Sequence, residues 1–148
     1  MTNSIMKAYK TKLRLTAEQR RYFGACCGAA RYVFNWALAD RKEVFEAGGK
    51  TGRFEQEKRF NVVKDKICPW IREYPSKLVA MEFKYVDIAY QNFFRRIKQG
   101  KTGKDTGFPK FKNKYKDKQS FALRGDSIRV ENGRIRLPKI GWVNLAEN

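Results

Sequence analysis

The sequence predicts an α+β fold in which a small β-barrel is interrupted by a helical insertion. Residues 6–15 alternate between apolar and basic side chains, as expected for a strand with one buried face. Helical periodicity then extends over about eighty residues, and the alternation returns towards the end of the chain. A strand separated from its partners in this way indicates a sheet into which helices are inserted.

Four segments are expected along the chain. Residues 1–16 would contain the first strand, residues 17–99 the helices, residues 100–118 a basic loop, and residues 119–148 the returning strands. We expect these returning strands to leave the barrel incomplete. A chain of 148 residues suits one domain of this kind.

The first strand leads directly into a long helix. Thr16 and Gln19 have the spacing of a capping box, in which each side chain bonds the other residue's backbone N–H group. Apolar side chains keep helical spacing up to Phe45, and Gly48 follows, so the helix is predicted from about residue 17 to residue 46. The inward face of the preceding strand is predicted to consist of Tyr9, Thr11, Leu13 and Leu15.

Two more helices are predicted before the strands return. The second covers residues 53–67 and includes Phe54 on its apolar side. Ser76 is predicted to be the N-cap of the third helix, which carries Phe94 on its apolar stripe and stops at Gly100.

The last part of the chain has the period of strands. Phe121–Leu123 and Ser127–Glu131 read as strands, and Asn132–Gly133 is a strong hairpin signal. Arg134–Leu137 would pair across that hairpin, and Ile140–Val143 would add a final strand.

The most basic segment is residues 98–118, in which eight lysines accompany only two aspartates. Such a tract suits nucleic acid, because ammonium groups displace counterions from phosphates and aromatic rings stack on bases. Phe108, Phe111 and Tyr115 would stack on bases or anchor the loop to the barrel, and the stiff Pro109 favours anchoring. The alternative for each basic residue is an ordinary solvated surface charge. The candidates for backbone contacts are Lys10, Lys12, Arg14, Arg95, Arg96, Lys98, Lys101, Lys104, Lys110, Lys112, Lys114 and Lys116.

The composition favours the same class of partner. The chain has 33 Lys and Arg against 15 Asp and Glu, a net charge of +18, which favours a polyanion. No stretch approaches the roughly 18 apolar residues of a membrane-spanning helix, so no membrane partner is expected. A cytoplasmic, nucleoid-associated protein is the expectation.

Catalytic chemistry is not expected from this chain. The absence of histidine excludes Ser-His and Cys-His nucleophile pairs and His-ligated zinc. Cys26, Cys27 and Cys68 have neither the number nor the spacing of a disulfide framework or a zinc site. The carboxylates are scattered along the helices rather than grouped. We therefore expect no catalytic residue, no metal ligand and no cofactor.

Four motifs occur in a characteristic order: Val33–Leu38, Ala89–Arg95, Gly107–Lys112 and Arg136–Val143. From about residue 6 to residue 143 the chain resembles the N-terminal region of the TnpB (OrfB) proteins of bacterial insertion sequences. That family comprises RNA-guided DNA endonucleases related to the type V CRISPR effectors. The resemblance implies an oligonucleotide-binding-like β-barrel, called the wedge, interrupted by a helical, helix-turn-helix-like recognition lobe.

The resemblance also implies partners and a reading site. The partners would be a guide RNA and a double-stranded DNA target. Ser76 has a plain helix cap as its alternative role, and Ala80 cannot hydrogen-bond a base edge. The positions that would read the motif flanking the target are Phe54, Lys58, Ser76, Lys77 and Arg124, with Gly125 beside the last.

The family's Asp-Glu-Asp nuclease domain is expected to lie beyond Asn148, so the chain is not expected to be an enzyme by itself. Three other interpretations stay open. The chain could be a subunit completed by a separate nuclease chain, or a truncated regulator that blocks a site by binding. It could also be a generic basic RNA-binding protein.

Overall fold

Three α-helices lie between the first and the later strands of one antiparallel sheet. The computed structural model describes residues 6–146, so residues 1–5 of the first predicted segment and residues 147–148 of the last lie outside the described residues. The elements are β1 Leu13–Arg14, α1 Ala17–Glu46, α2 Arg53–Ile67, α3 Ser76–Lys98, β2 Arg129–Glu131, β3 Arg134–Leu137 and β4 Gly141–Leu145.

Helix α1 begins and ends where the sequence predicts. The Thr16 hydroxyl accepts a hydrogen bond from the Gln19 N–H at 3.1 Å, and the Gln19 side chain accepts one from the Thr16 N–H at 3.0 Å. The predicted capping box is thereby confirmed. At the other end Gly48 has a φ of +84°, and its N–H donates to the Phe45 carbonyl at 3.0 Å. Glycine adopts this left-handed conformation without a side-chain clash, so the helix ends there.

The predicted bounds of α2 are confirmed, but the start of α3 differs from the prediction. Pro75 occupies the N-cap position, and Ser76 is the first helical residue with no capping bond from its side chain. The fixed φ of proline suits the extended backbone that precedes the helix. A short 3₁₀ segment, Pro69–Glu73, joins α2 to α3. The predicted stop at Gly100 is confirmed by its φ of +82°.

The core lies mainly between α1 and α3. Small side chains of α1, such as Ala30, Val33 and Ala37, are almost fully buried and let the helices approach closely. Phe60 of α2 and Phe83 of α3 are also buried, and their ring centroids lie 5.6 Å apart. Some residues of the predicted apolar stripes are instead exposed, because they lie towards helix ends beyond the packed faces. They are Phe45, Phe54, Ile67, Phe94 and Ile97.

The sheet has the strand order β1-β4-β3-β2, and all neighbours are antiparallel. Leu13 of β1 pairs with Leu145 of β4, so the helices are inserted between paired strands. Asn132 and Gly133 both have positive φ, at +47° and +74°, which confirms the predicted tight hairpin between β2 and β3. The sheet is open between β1 and β2 within residues 6–146. Closure into an oligonucleotide-binding-like barrel therefore stays a prediction.

Several predicted strands are wrong in extent or in kind. Ser127–Glu131 is regular only from Arg129, because Gly125–Ser127 forms a 3₁₀ turn. The first strand is regular only at Leu13–Arg14, and Tyr9 is 85% exposed instead of facing inward, because within residues 6–146 no second strand pairs with it there. Phe121–Leu123 is not a strand. Phe121 and Leu123 pack against the helical core, and the Phe121 ring lies 5.5 Å from that of Phe23. Their apolar side chains pack against the helical core rather than against a neighbouring strand.

Candidate nucleic-acid interface

The basic tract, residues 98–118, crosses the helices and is held against α1. The Lys112 N–H donates to the Asn35 side-chain oxygen at 2.7 Å, and the Asn35 amide donates to the Lys112 carbonyl at 3.0 Å. Asn35 thus satisfies both backbone groups of one residue, as a neighbouring strand would. The middle of the tract is thereby fixed at one point on α1.

Phe108 anchors the tract to α3. Its ring lies 5.0 Å from that of Phe93 and 6.0 Å from that of Tyr90, both in edge-on geometry. The next residue, Pro109, is buried. The anchoring predicted for Phe108 therefore exists, but its partner is a helix rather than the barrel, because the tract runs over the helices before it reaches the strands.

The other two aromatic residues of the tract are more exposed. The ammonium group of Lys42 lies 4.7 Å from the centre of the Phe111 ring, in a cation–π contact. Tyr115 is 88% exposed and lies 5.8 Å from the Lys114 ammonium group. Base stacking by Phe111 and Tyr115 stays a prediction.

A tight turn connects α3 to the anchored part of the tract. Gly107 has a φ of +65°, and the guanidinium group of Arg96 lies against its Cα. Any side chain at position 107 would collide with this guanidinium group and would also strain the backbone. Arg96 is therefore half-buried against the turn, whereas Arg95 is exposed.

Among the described residues, the cations of the tract form no ion pair with a carboxylate. None of the ion pairs within residues 6–146 uses a lysine or arginine from residues 95–118. Lys110, Lys114 and Lys116 are also exposed. Their charge is therefore available to an external polyanion. The ion pairs are Arg41–Asp87, Arg59–Asp40, Arg72–Asp65 and Arg124–Asp126.

The remaining backbone-contact candidates lie in β1 and in the segment just before it. Lys10, Lys12 and Arg14 are exposed, and Arg14 pairs with Asn144 of β4. The described contacts of the basic tract are with α1 and α3. The twelve candidates therefore form two groups on different parts of the molecule.

A cleft of about 480 Å³ lies beside the start of α3. Ser76, Lys77 and Arg124 line it, so the structure brings together three of the five predicted motif-reading residues, with Ala80 beside them. The other two residues are not among those that line the cleft. Phe54 is 64% exposed, and Lys58 is exposed as well.

Three cations in this cleft were not predicted from the sequence. Lys64, Arg72 and Lys139 line it together with the predicted residues. The ammonium group of Lys139 donates to the Arg72 carbonyl, which joins the β3–β4 turn to the 3₁₀ segment. Nothing in the spacing of the sequence relates these distant positions. Only the packing of the sheet against the helices brings them together.

Glu82 of α3 is a buried carboxyl group close to the tract. It is 2% exposed, and its Oε2 atom has no hydrogen-bond partner among the described residues. Burial raises the pKa of this carboxyl from its ordinary value of 4.5 to about 7, and the positive charge of Lys112 opposes the increase.

The thiols are unreactive in this setting. Burial raises the pKa of Cys26 to about 11 and also raises the pKa of Cys27 and Cys68, so all three favour the neutral thiol. No group of three or more Cys, Asp or Glu side chains within residues 6–146 is arranged to hold a metal ion. Among the same residues, every helix is too short or too polar to cross a membrane.

Comparison with known proteins gives consistent matches. The family model HTH_OrfB_IS605, described as a helix-turn-helix domain, matches residues 1–50. InsQ of Escherichia coli (strain K12) is 33% identical over 144 residues, which are 93% of this chain and 33% of InsQ. Rv2885c of Mycobacterium tuberculosis (strain ATCC 25618 / H37Rv) is 29% identical over 160 residues, or 97% of this chain and 35% of Rv2885c.

Both relatives carry names that describe an RNA-guided DNA endonuclease. This chain spans about a third of their length. The similarity covers nearly all of the chain. The resemblance is confirmed, and the chain belongs to the TnpB/OrfB family.

Proposed function

We propose that this chain is the nucleic-acid-binding N-terminal portion of a TnpB-like, RNA-guided DNA endonuclease. It would hold guide RNA and target DNA without catalysis of its own. The observation that carries this function is the basic tract, which is fixed to the helices at Phe108 and Lys112 while its lysines form no ion pair within the part of the chain that the structure describes. The RNA-guided relatives support the choice of partners.

The mechanism follows from the charge and its fixed position. Phosphate contacts from the tract would set the affinity and the register of the bound strand. Base pairing between guide and target would supply most of the sequence choice, while the protein reads a short flanking motif. The cleft beside Ser76, Lys77 and Arg124 is the proposed reading site. Nuclease chemistry would come from a part of the family protein that this chain does not span, or from a separate nuclease chain.

A salt titration with matched variants tests the role of the tract. In one variant Lys110, Lys114 and Lys116 are replaced by alanine, and in the control the exposed Lys50, Lys66 and Lys84 are replaced. Both variants lose the same charge. We expect the tract variant to reduce the slope of log K against log salt by about 2–3 and the control to change it little. Equal losses in the two variants would overturn a dedicated role for the tract.

Sequencing of the RNA that co-purifies with the expressed native locus tests the partner. One discrete RNA species, retained against competitor RNA, is expected for a guide-binding protein. A broad mixture of host RNA that salt removes uniformly would instead indicate binding driven by charge alone, and it would contradict the proposed guide role.

A further inference from the structure

A second feature of the helical region has the chemistry of a base-binding site. A groove of about 430 Å³ runs along the surface of α1 beside the 3₁₀ segment. We call it the aromatic groove, and it is separate from the cleft beside Ser76. Its volume lies within the range of small-ligand sites. The residues that line it are Gly28, Arg31, Tyr32, Asn35, Trp36 and Trp70.

The aromatic side chains of the groove are held in place by one another. The Trp70 ring lies 5.1 Å from that of Tyr32 and 6.1 Å from that of Tyr74, both in edge-on contacts. Trp36 is held by Phe60 of the core at 5.1 Å. Trp70 is nevertheless 38% exposed, which is unusual for such a large apolar ring. The groove therefore presents preorganised aromatic surface to solvent.

Gly28 keeps the groove open at a cost to the helix. A glycine inside a helix is less favourable than alanine by about 1 kcal/mol. Packing does not require it here, because a Cβ atom at position 28 would meet only the Arg31 Nη2 atom, at an ordinary distance of 3.5 Å. A side chain at this position would instead occupy the groove.

The groove is continuous with positive charge. Arg31 lines it and donates to the Gln119 side chain at 3.1 Å, next to the end of the basic tract. Asn35, which also lines the groove, holds the backbone of Lys112. Three cations, Arg31, Lys112 and Lys118, line the small adjoining depression together with one carboxylate, that of Asp117. A strand that follows the tract would thus carry its bases past the aromatic groove.

We propose that the aromatic groove binds an unpaired base of RNA, while the adjacent phosphates contact Arg31 and the basic tract. This assignment rests on the proposed function, and it adds a specific base-stacking site to it. Unpaired bases in RNA loops and ends are the ones that stack on aromatic side chains, whereas paired bases stay inside the helix. The positive charge of Arg31 and of the basic tract beside the groove suits a phosphate-bearing ligand better than a neutral apolar peptide.

A pair of glycine variants tests the site without destabilising the helix. Gly28→Leu fills the groove, and Gly24→Leu is the control, because Gly24 lies in the same helix, has open space around it and does not line the groove. Leucine is a better helix former than glycine, so both variants should be at least as stable as the wild type. Trp70→Leu is a second variant that removes the stacking surface directly.

The probes are a short single-stranded RNA, the same RNA with abasic positions, the same sequence as single-stranded DNA, and an RNA duplex. We expect Gly28→Leu and Trp70→Leu to weaken binding of the intact single-stranded RNA by about 5- to 100-fold, with Gly24→Leu unchanged. The abasic RNA should bind the wild type more weakly, and its binding should not respond to the variants.

Several outcomes would overturn the assignment. They are unchanged affinity of both groove variants, equal binding of intact and abasic RNA, and equally tight binding of single-stranded DNA. If any of these occurs while the wild type still binds RNA and the tract variant still loses affinity, the groove assignment fails and the proposed function stands. If the wild type binds no RNA at all, both fail.

Discussion

At the scale of single residues, Asn35 fixes a distant part of the chain. One polar side chain satisfies both the N–H and the carbonyl of Lys112 at 2.7 and 3.0 Å. Each part-buried backbone group would otherwise need another partner or stay unsatisfied. Asn35 thereby fixes the middle of a segment that would be mobile by its composition alone.

Asn35→Ala should therefore release the tract. We expect a loss of about 1–3 kcal/mol in the free energy of unfolding, measured by urea denaturation, and faster amide exchange at Lys112. Asn61→Ala is the matched control, because Asn61 is also in a helix but accepts only an exposed bond from Lys64. The control should change stability by about 0.5 kcal/mol or less. Normal exchange at Lys112 in Asn35→Ala would contradict the role of Asn35.

Glu82 should make stability depend on pH. Its pKa is about 7 in the folded chain against an ordinary value of 4.5, so between these values the folded state holds more protons than the unfolded state. The unfolding free energy must then decrease as pH rises through this window. Below pH 4.5 the contribution is fully present, and above the folded pKa it is lost.

Glu82→Gln should remove this dependence, because the amide does not titrate. Relative to the variant, the wild type should lose about 3 kcal/mol of stability across the window. Urea denaturation at a series of pH values measures both curves. Parallel curves for the two proteins would show that Glu82 does not titrate in this range.

At the scale of elements, the ends of the helices were largely predictable because their signals are local. Thr16 with Gln19, and Gly48 and Gly100 at the ends, act within one turn of the chain. The hairpin at Asn132 and Gly133 is local as well. The prediction that Ser76 is an N-cap was wrong because Pro75, at the preceding position, has the dihedral angles of an N-cap.

The strands and the cleft were less predictable because they depend on distant partners. Phe121 has the pattern of a strand residue, but it packs against Phe23 of α1. Lys139 enters the cleft only because the β3–β4 turn meets the carbonyl of Arg72. Local periodicity predicts which face of a segment is apolar, whereas the tertiary fold determines which element packs against that face.

Within the tract, Phe108 and Tyr115 should contribute differently to the free energy of unfolding. Phe108→Ala removes the contacts with Phe93 and Tyr90, and it should cost about 1–2 kcal/mol because the ring is only partly buried. Tyr115→Ala should cost about 0.5 kcal/mol or less, since that ring is 88% exposed. Thermal unfolding measures both. Equal costs would show that Phe108 is not an anchor.

At the scale of the whole molecule, a net charge of +18 acts on folding and binding in opposite directions. Like charges repel one another most strongly in the compact state, so screening by salt favours folding. The same screening weakens attraction to phosphates. One property of the composition therefore produces two opposite salt dependences.

Adding sodium chloride should raise the urea midpoint of the free chain while it lowers the affinity for RNA. The variant that lacks Lys110, Lys114 and Lys116 should gain less stability from salt than the wild type, because it has less repulsion to screen. Urea denaturation and fluorescence anisotropy over the same salt series measure the two effects. A midpoint that decreases with salt would contradict this account of the charge.

The pairing of Leu13 with Leu145 has a consequence for the order of folding. A contact between residues so far apart in sequence is slow to form in an open chain, because closing a long loop costs conformational entropy. The helices between them fold on contacts of shorter range, and once packed they hold the two strands close together. During synthesis the backbone hydrogen-bonding groups of β1 therefore stay unpaired with β4 until β4 has left the ribosome.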